Sequence, residues 1–203
     1  MTKYIIILFS LFISSLGMVY AQSSADAEFK EMKRIYGNMK TVSFHFTNQD
    51  NSNINGSLIA KRGNKFSLHF GNRIIRCDGN TVWNHSKDEN NIIISNFESH
   101  GDENSIETIF FSMLDNHRPV GLRSSTNSAG NKLMLLDLVS TEDPNRKIEI
   151  AYFPDSRTIA EVTLTNNYVV ETWIISKLKI NPEIADNTFK FESDDKIEMI
   201  DLR

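Results

Sequence analysis

Residues 56–70 read GSLIAKRGNKFSLHF. Leu58 and Ala60 alternate with Ser57, Ile59 and Lys61, and after the Gly63-Asn64 pair the alternation resumes at Phe66, Leu68 and Phe70. That two-residue period is the signature of a strand, and the Gly-Asn pair between two such runs predicts a hairpin with a primed turn. The same period carries Leu58 and Ala60 forward to Arg62, which places an arginine on the apolar side at the mouth of the hairpin.

The pattern extends both ways. Upstream, Val42, Phe44 and Phe46 alternate with polar residues in TVSFHFT (41–47). Before it, Phe29, Met32, Ile35, Tyr36 and Met39 recur at three- and four-residue spacing, which predicts an amphipathic helix over 26–39. Downstream, strand-like runs stand at RIIRC, TVWNH and NIIIS, separated by Gly71-Asn72, Asp78-Gly79 and a polar KDEN, so the region reads as an antiparallel meander. A second helix is expected in NSIETIFFSMLD (104–115), capped by Asn104 and presenting Ile106, Ile109, Phe110 and Met113 as a stripe that Phe111 and Leu114 widen. Residues 115–131 read as a polar surface loop. Four more strands follow in KLMLLDLVS, KIEIAYFP, TIAEVTLTN and VVETWIISKLKI, and Phe189 and Phe191 alternate near the end. The class is α+β, dominated by one sheet of about ten strands curled into a barrel or half-barrel.

Residues 1–21 carry one charge at Lys3, an apolar run from Tyr4 to about Leu16, and a small-residue cleavage pattern at Val19-Tyr20-Ala21. This predicts a signal peptide over 1–21, because the run is too short to span a bilayer. No cysteine follows Ala21, so no N-terminal lipid acceptor is expected there. Residues 22–203 then form a single domain of a length that can bury a core. Removing Lys3 leaves 21 basic against 26 acidic residues and takes the formal charge from -4 to -5, which argues against nucleic acid as a partner. Cys77 is the sole cysteine, so no intramolecular disulfide forms; it reads as a half-buried strand residue.

No G-x-S-x-G elbow, H-E-x-x-H pair, phosphate loop or cysteine pair occurs, and the five histidines lie apart, with His45 and His69 on the solvent parity of their strands. Neither a metal nor a cofactor is expected, and no nucleophile and base are seen converging as a hydrolase would need. What stands out is apolar excess on one parity: Val42, Phe44, Phe46, Leu58, Phe66, Leu68 and Phe70. Two readings fit it, an ordinary core beneath the helices and a sheet too wide to fill itself, which leaves a ligand cavity.

The order of these segments resembles the LolA family of outer-membrane lipoprotein carriers. The likeness runs through FHFTNQD, the hairpin KRGNKF (61–66), DGNTVW (78–83), the segment IETIFFSML and the closing FKF with MID. It implies an unclosed antiparallel barrel covered by a lid of short helices, located in the periplasm. Its cavity would take lipoprotein acyl chains, with Val42, Phe44, Phe46, Leu58, Ala60, Phe66, Leu68, Phe70, Trp83, Ile106 and Phe110 as lining. The resemblance also implies a monomeric, non-enzymatic chaperone that receives lipoproteins from an inner-membrane LolCDE-type ABC transporter. Delivery would be to an outer-membrane acceptor, LolB-like or other. The family's key arginine falls on Arg62, which there latches the lid over the empty cavity. Gly63 stands where the family has proline, and Leu68 where an aromatic is usual. A periplasmic domain that senses lipid or lipoprotein and regulates an envelope response is the alternative, and it would need a second interaction surface.

Overall fold

The computed structural model describes residues 24–97, 111–191 and 196–203. Helix α1 spans 24–36 and puts Ala25, Met32 and Tyr36 into the core, with Phe29 and Ile35 packed beside them. The helix stops at Gly37, whose N–H donates to Lys33 O at 2.8 Å, and Lys33 and Arg34 occupy the last turn where their charge complements the helix dipole.

Twelve strands follow: β1 Thr41–Asn48, β2 Asn55–Lys61, β3 Lys65–Phe70, β4 Arg73–Asp78, β5 Thr81–Ser86, β6 Asn91–Asn96, β7 His117–Thr126, β8 Lys132–Ser140, β9 Arg146–Tyr152, β10 Ile159–Asn166, β11 Val169–Ile180 and β12 Glu198–Asp201. They form one sheet in the order β12-β6-β5-β4-β3-β2-β1-β11-β10-β9-β8-β7, with β12 and β7 as its two unjoined edges. Every neighbour pair is antiparallel except β12 on β6, where Met199 faces Ile92 in a parallel register. The half-barrel closes round α1: Val42, Phe44, Leu58, Ala60, Phe66, Cys77, Leu136, Leu138 and Ile150 meet Met32 and Tyr36 in a single core.

Three expectations need correcting. Residues 117–126 are the strand β7, not loop; only 115–116 and the turn at 127–131 remain of the expected loop. As an edge strand β7 pairs with β8 alone, tolerates Pro119, and so needs no apolar alternation. The β2–β3 connection holds three residues, since Lys61 pairs with Lys65; Gly63 and Asn64 both take left-handed φ, 85° and 58°. Cys77 is fully buried rather than half-buried, and burial raises its thiol pKa to about 11. Of the expected helix over 104–115, residues 104–110 lie outside the described residues; 111–112 are helical and 113–115 form a turn.

Gly56 is required by packing. It lies between Phe46 of β1 and Phe70 of β3, whose rings stack across it with centroids 6.2 Å apart. A Cβ there would fall 2.2 Å from His69 O and 2.6 Å from Phe46 Cζ. The carbonyl belongs to the sheet and cannot retreat, so Gly56→Ala should cost about 2–3 kcal/mol. A denaturant midpoint indistinguishable from the parent would show that the ring pair does not depend on this glycine.

Candidate functional site: an apolar cavity under the first helix

Between α1, residues 111–115 and the concave face of the sheet lies a cavity of about 310 Å³. Its walls come from Met32, Tyr36 and Met39 above and from Val42, Phe44, Leu58, Ile150, Val162 and Trp173 below, with Phe111, Met113 and Leu114 at one side. The volume is at the small end of ligand pockets, which run about 300–1,000 Å³. Apart from Tyr36, Gly37 and Asp115 the lining is apolar, so burial is what it offers to a hydrocarbon. Among the described residues no three metal-ligating side chains come together.

Of the expected lining residues, Val42, Phe44, Phe46, Leu58 and Leu68 face the cavity, while Ala60 and Phe66 are buried in the core next to it. Phe70 stands at the rim, stacked on Phe46. Trp83 is a correction: it faces the other side of the sheet. Val82 pairs with the core residue Cys77, so the next residue points outward, where Trp83 lies in register with Arg76 and Ile94. There the closing segment runs beneath the sheet, with Phe189 fully buried against β3 and β4 and Phe191 over the Arg76 guanidinium at 5.6 Å. Ile106 and Phe110 lie outside the described residues.

The far wall was not anticipated. Val162, Leu164, Trp173, Ile175 and Leu178 line the cavity from β10 and β11. Their parity is masked by a bulge: Lys177 has φ 53°, and the β1–β11 register shifts between Ser43 and His45. Trp173 and Ile175 are therefore followed on the inner face by Leu178, not by residue 177.

Burial falls along the inner face from one end of the strands to the other. Phe66 is buried, Leu68 half-buried and Phe70 40% exposed; Val42 and Phe44 are buried and Phe46 half-buried; Val162 is half-buried and Leu164 36% exposed. Helix α1 thus seals one end, and the other is an open mouth rimmed by Phe46, Phe70 and Trp173, the last edge-on to Phe46 at 5.7 Å.

Arg62 sits at the sealed end. Its Nε–H donates to Met39 O at 2.7 Å, and Nη2 donates to Gly37 O at 2.8 Å and to Phe111 O at 3.3 Å. The guanidinium also lies over the Phe111 ring, 5.0 Å from its centroid. The residue is exposed and does not line the cavity; it ties the main-chain oxygens of Gly37 and Met39, just past α1, to that of Phe111. Lys33 on α1 and Asp115 make a second tie across the same seam, at 2.8 Å.

The other side of α1 is fixed to the β9–β10 turn. Glu28 accepts from Arg157 Nε and Nη2, each at 3.1 Å, and from the Tyr152 hydroxyl at 3.0 Å, while Tyr36 donates to Arg157 O at 2.7 Å. The Arg157 hydrogen bond, with that of Tyr152, holds the Glu28 carboxyl below its ordinary 4.5; burial first, then Glu28, pushes the Tyr152 hydroxyl up. A depressed carboxyl pKa stabilises the fold above the unfolded value, and that gain is lost as pH falls through the folded value. Glu28→Gln should cost about 1–2 kcal/mol at neutral pH. The gap to the parent should shrink below pH 4.5, as denaturation at several pH values would show. A gap that stays constant into acid would mean that the charge contributes nothing.

No curated protein matches this chain. Among solved structures, an uncharacterized conserved protein from Thermus thermophilus is 12% identical, with 88% of this chain and 99% of that one covered and a TM-score of 0.52, so the two share a fold. A LolA superfamily protein from Nitrosomonas europaea is 10% identical over 84% of this chain and 98% of its own, at a TM-score of 0.35. MucB in the Pseudomonas aeruginosa MucA/MucB complex is 8% identical over 83% and 61%, at 0.36. The outer membrane lipoprotein carrier protein LolA model matches residues 37–192, from the end of α1 through all but the last strand. By that match, extending well past half of its length, the chain belongs to the LolA family of outer membrane lipoprotein carriers.

Proposed function

We propose that this protein shields the acyl chains of lipoproteins in the cavity under α1 and carries them across the periplasm, without catalysis. Residues 1–21 would direct its export. An inner-membrane ABC transporter of the LolCDE type would load it, and an outer-membrane acceptor would unload it. The observation that carries this reading is the position of Arg62 at the seam of an apolar cavity. It spends a charged fork on three backbone carbonyls that join α1 to residues 111–115. A cavity held closed at one end by polar bonds can be widened there by hydrocarbon burial, at about 0.8 kcal/mol per CH2, and can close again when the chains leave.

The test is release from membranes. Inner-membrane vesicles holding a labelled lipoprotein and its exporter are incubated with the purified protein, with and without ATP. A soluble one-to-one complex that needs both supports the carrier reading. Lipoprotein that stays on the vesicles despite an active cognate exporter argues for a different ligand.

A further inference from the structure

The β10–β11 hairpin runs on past the open mouth of the cavity. Asn166 pairs with Val169, leaving Asn167-Tyr168 as a two-residue turn with Asn167 at φ 54°. At this tip Tyr168 is fully exposed, Val169 61% and Val170 57%. Single exposed apolar residues are ordinary, but three in succession on a protruding turn form a patch that water disfavours. Residues 163–170, TLTNNYVV, hold no charge in a chain where 24% of residues are charged.

Two further observations say what the patch meets. It is continuous with the mouth: Leu164, exposed and itself a cavity residue, leads along the inner face of β10 to Asn166 and its partner Val169. On the outer face, the cross-strand row from Val170 runs through Thr165, Lys147 and Val139 to Arg118, so exposed Lys147 and Arg118 stand behind the tip. The acids nearby are Asp137 and Glu149 on the same outer face, both paired with Arg123, then Asp143, paired with Arg146 at 3.7 Å, Glu142 in the same turn, and Glu171 opposite Leu164. A tyrosine with a wet hydroxyl, two valines and a basic row behind them match the interface of an anionic bilayer.

We infer that the Tyr168-Val169-Val170 tip seats the open mouth on a lipid bilayer, so that acyl chains pass along Leu164 and Trp173 without crossing water. The purpose of this contact rests on the acyl-carrier reading; the contact itself does not. A protein acceptor on the same patch is the competing occupant.

The experiment is flotation of the purified mature chain with pure phosphatidylethanolamine vesicles, with or without phosphatidylglycerol, alongside binding of a fluorescent fatty acid in solution. The parent should float, more so with phosphatidylglycerol. Tyr168→Ser, Val169→Ser and Val170→Ser combined should reduce vesicle partitioning about tenfold or more. Arg118→Glu with Lys147→Glu should remove the preference for phosphatidylglycerol. These positions are exposed, so the fold and fatty-acid affinity should be unchanged. Equal flotation of parent and triple variant would overturn the inference. So would a parent that binds fatty acid but never floats with pure lipid, a result that would favour a protein acceptor. Should the parent float through its tip yet fail to bind fatty acid, the membrane contact would stand and the carrier reading would fall.

Discussion

Arg62→Leu should bind acylated lipoprotein at least as well as the parent and release it on the order of 30- to 100-fold more slowly. Among the described residues the guanidinium makes three hydrogen bonds to main-chain oxygens, and on the proposed reading they hold together parts that separate when the cavity fills. Charge-assisted bonds run about 1.5–3 kcal/mol each when sheltered, but this side chain is exposed, so a combined value of about 2–3 kcal/mol is the reasonable expectation. That energy favours the closed, empty form; deleting it shifts the balance toward the loaded form by the same amount. Leucine restores none of the bonds, whereas Arg62→Lys keeps the charge without the planar fork and should fall between. Transfer from the preformed complex to acceptor membranes is the measurement. If Arg62→Leu transfers at the parental rate, the seam is held by other contacts, Lys33 with Asp115 first among them.

Val162→Trp should do the opposite and keep acyl chains out. Val162 is half-buried, lines the cavity and pairs across the ladder with Trp173. An indole at that position would project into empty space of about 310 Å³, so the fold should hold its melting temperature or gain slightly. If it displaces about four methylenes of a bound chain, the loss is about 3 kcal/mol, or on the order of 100-fold in affinity for a fatty-acid probe. Retained affinity in a stable variant would place the hydrocarbon somewhere other than this cavity.

The period-two runs in β1–β6 and the turn dipeptides between them made that half of the sheet legible, as the spacing of Phe29, Met32 and Tyr36 did for α1. Strand β7 was hidden because an edge strand with a solvated outer face carries no apolar alternation. Trp83 was misplaced because its side of the sheet depends on the register of Val82 with Cys77, which composition does not reveal. The Lys177 bulge concealed which residues of VVETWIISKLKI turn inward. Arg62 was conspicuous as an arginine on an apolar parity, yet its hydrogen-bond partners among the described residues are main-chain oxygens, which leave no mark in a sequence.

The most direct test of the central claim is to locate the acyl chains. A lipoprotein bearing a photoactivatable diazirine in its acyl chains would be loaded onto the protein, irradiated, and the adducts mapped by mass spectrometry. The account predicts labelling of Met32, Leu58, Ile150, Val162 and Trp173 inside the cavity and at its mouth, with little on the outer face. Adducts concentrated at Trp83 and Phe191 on the convex side, with the cavity residues unlabelled, would contradict it.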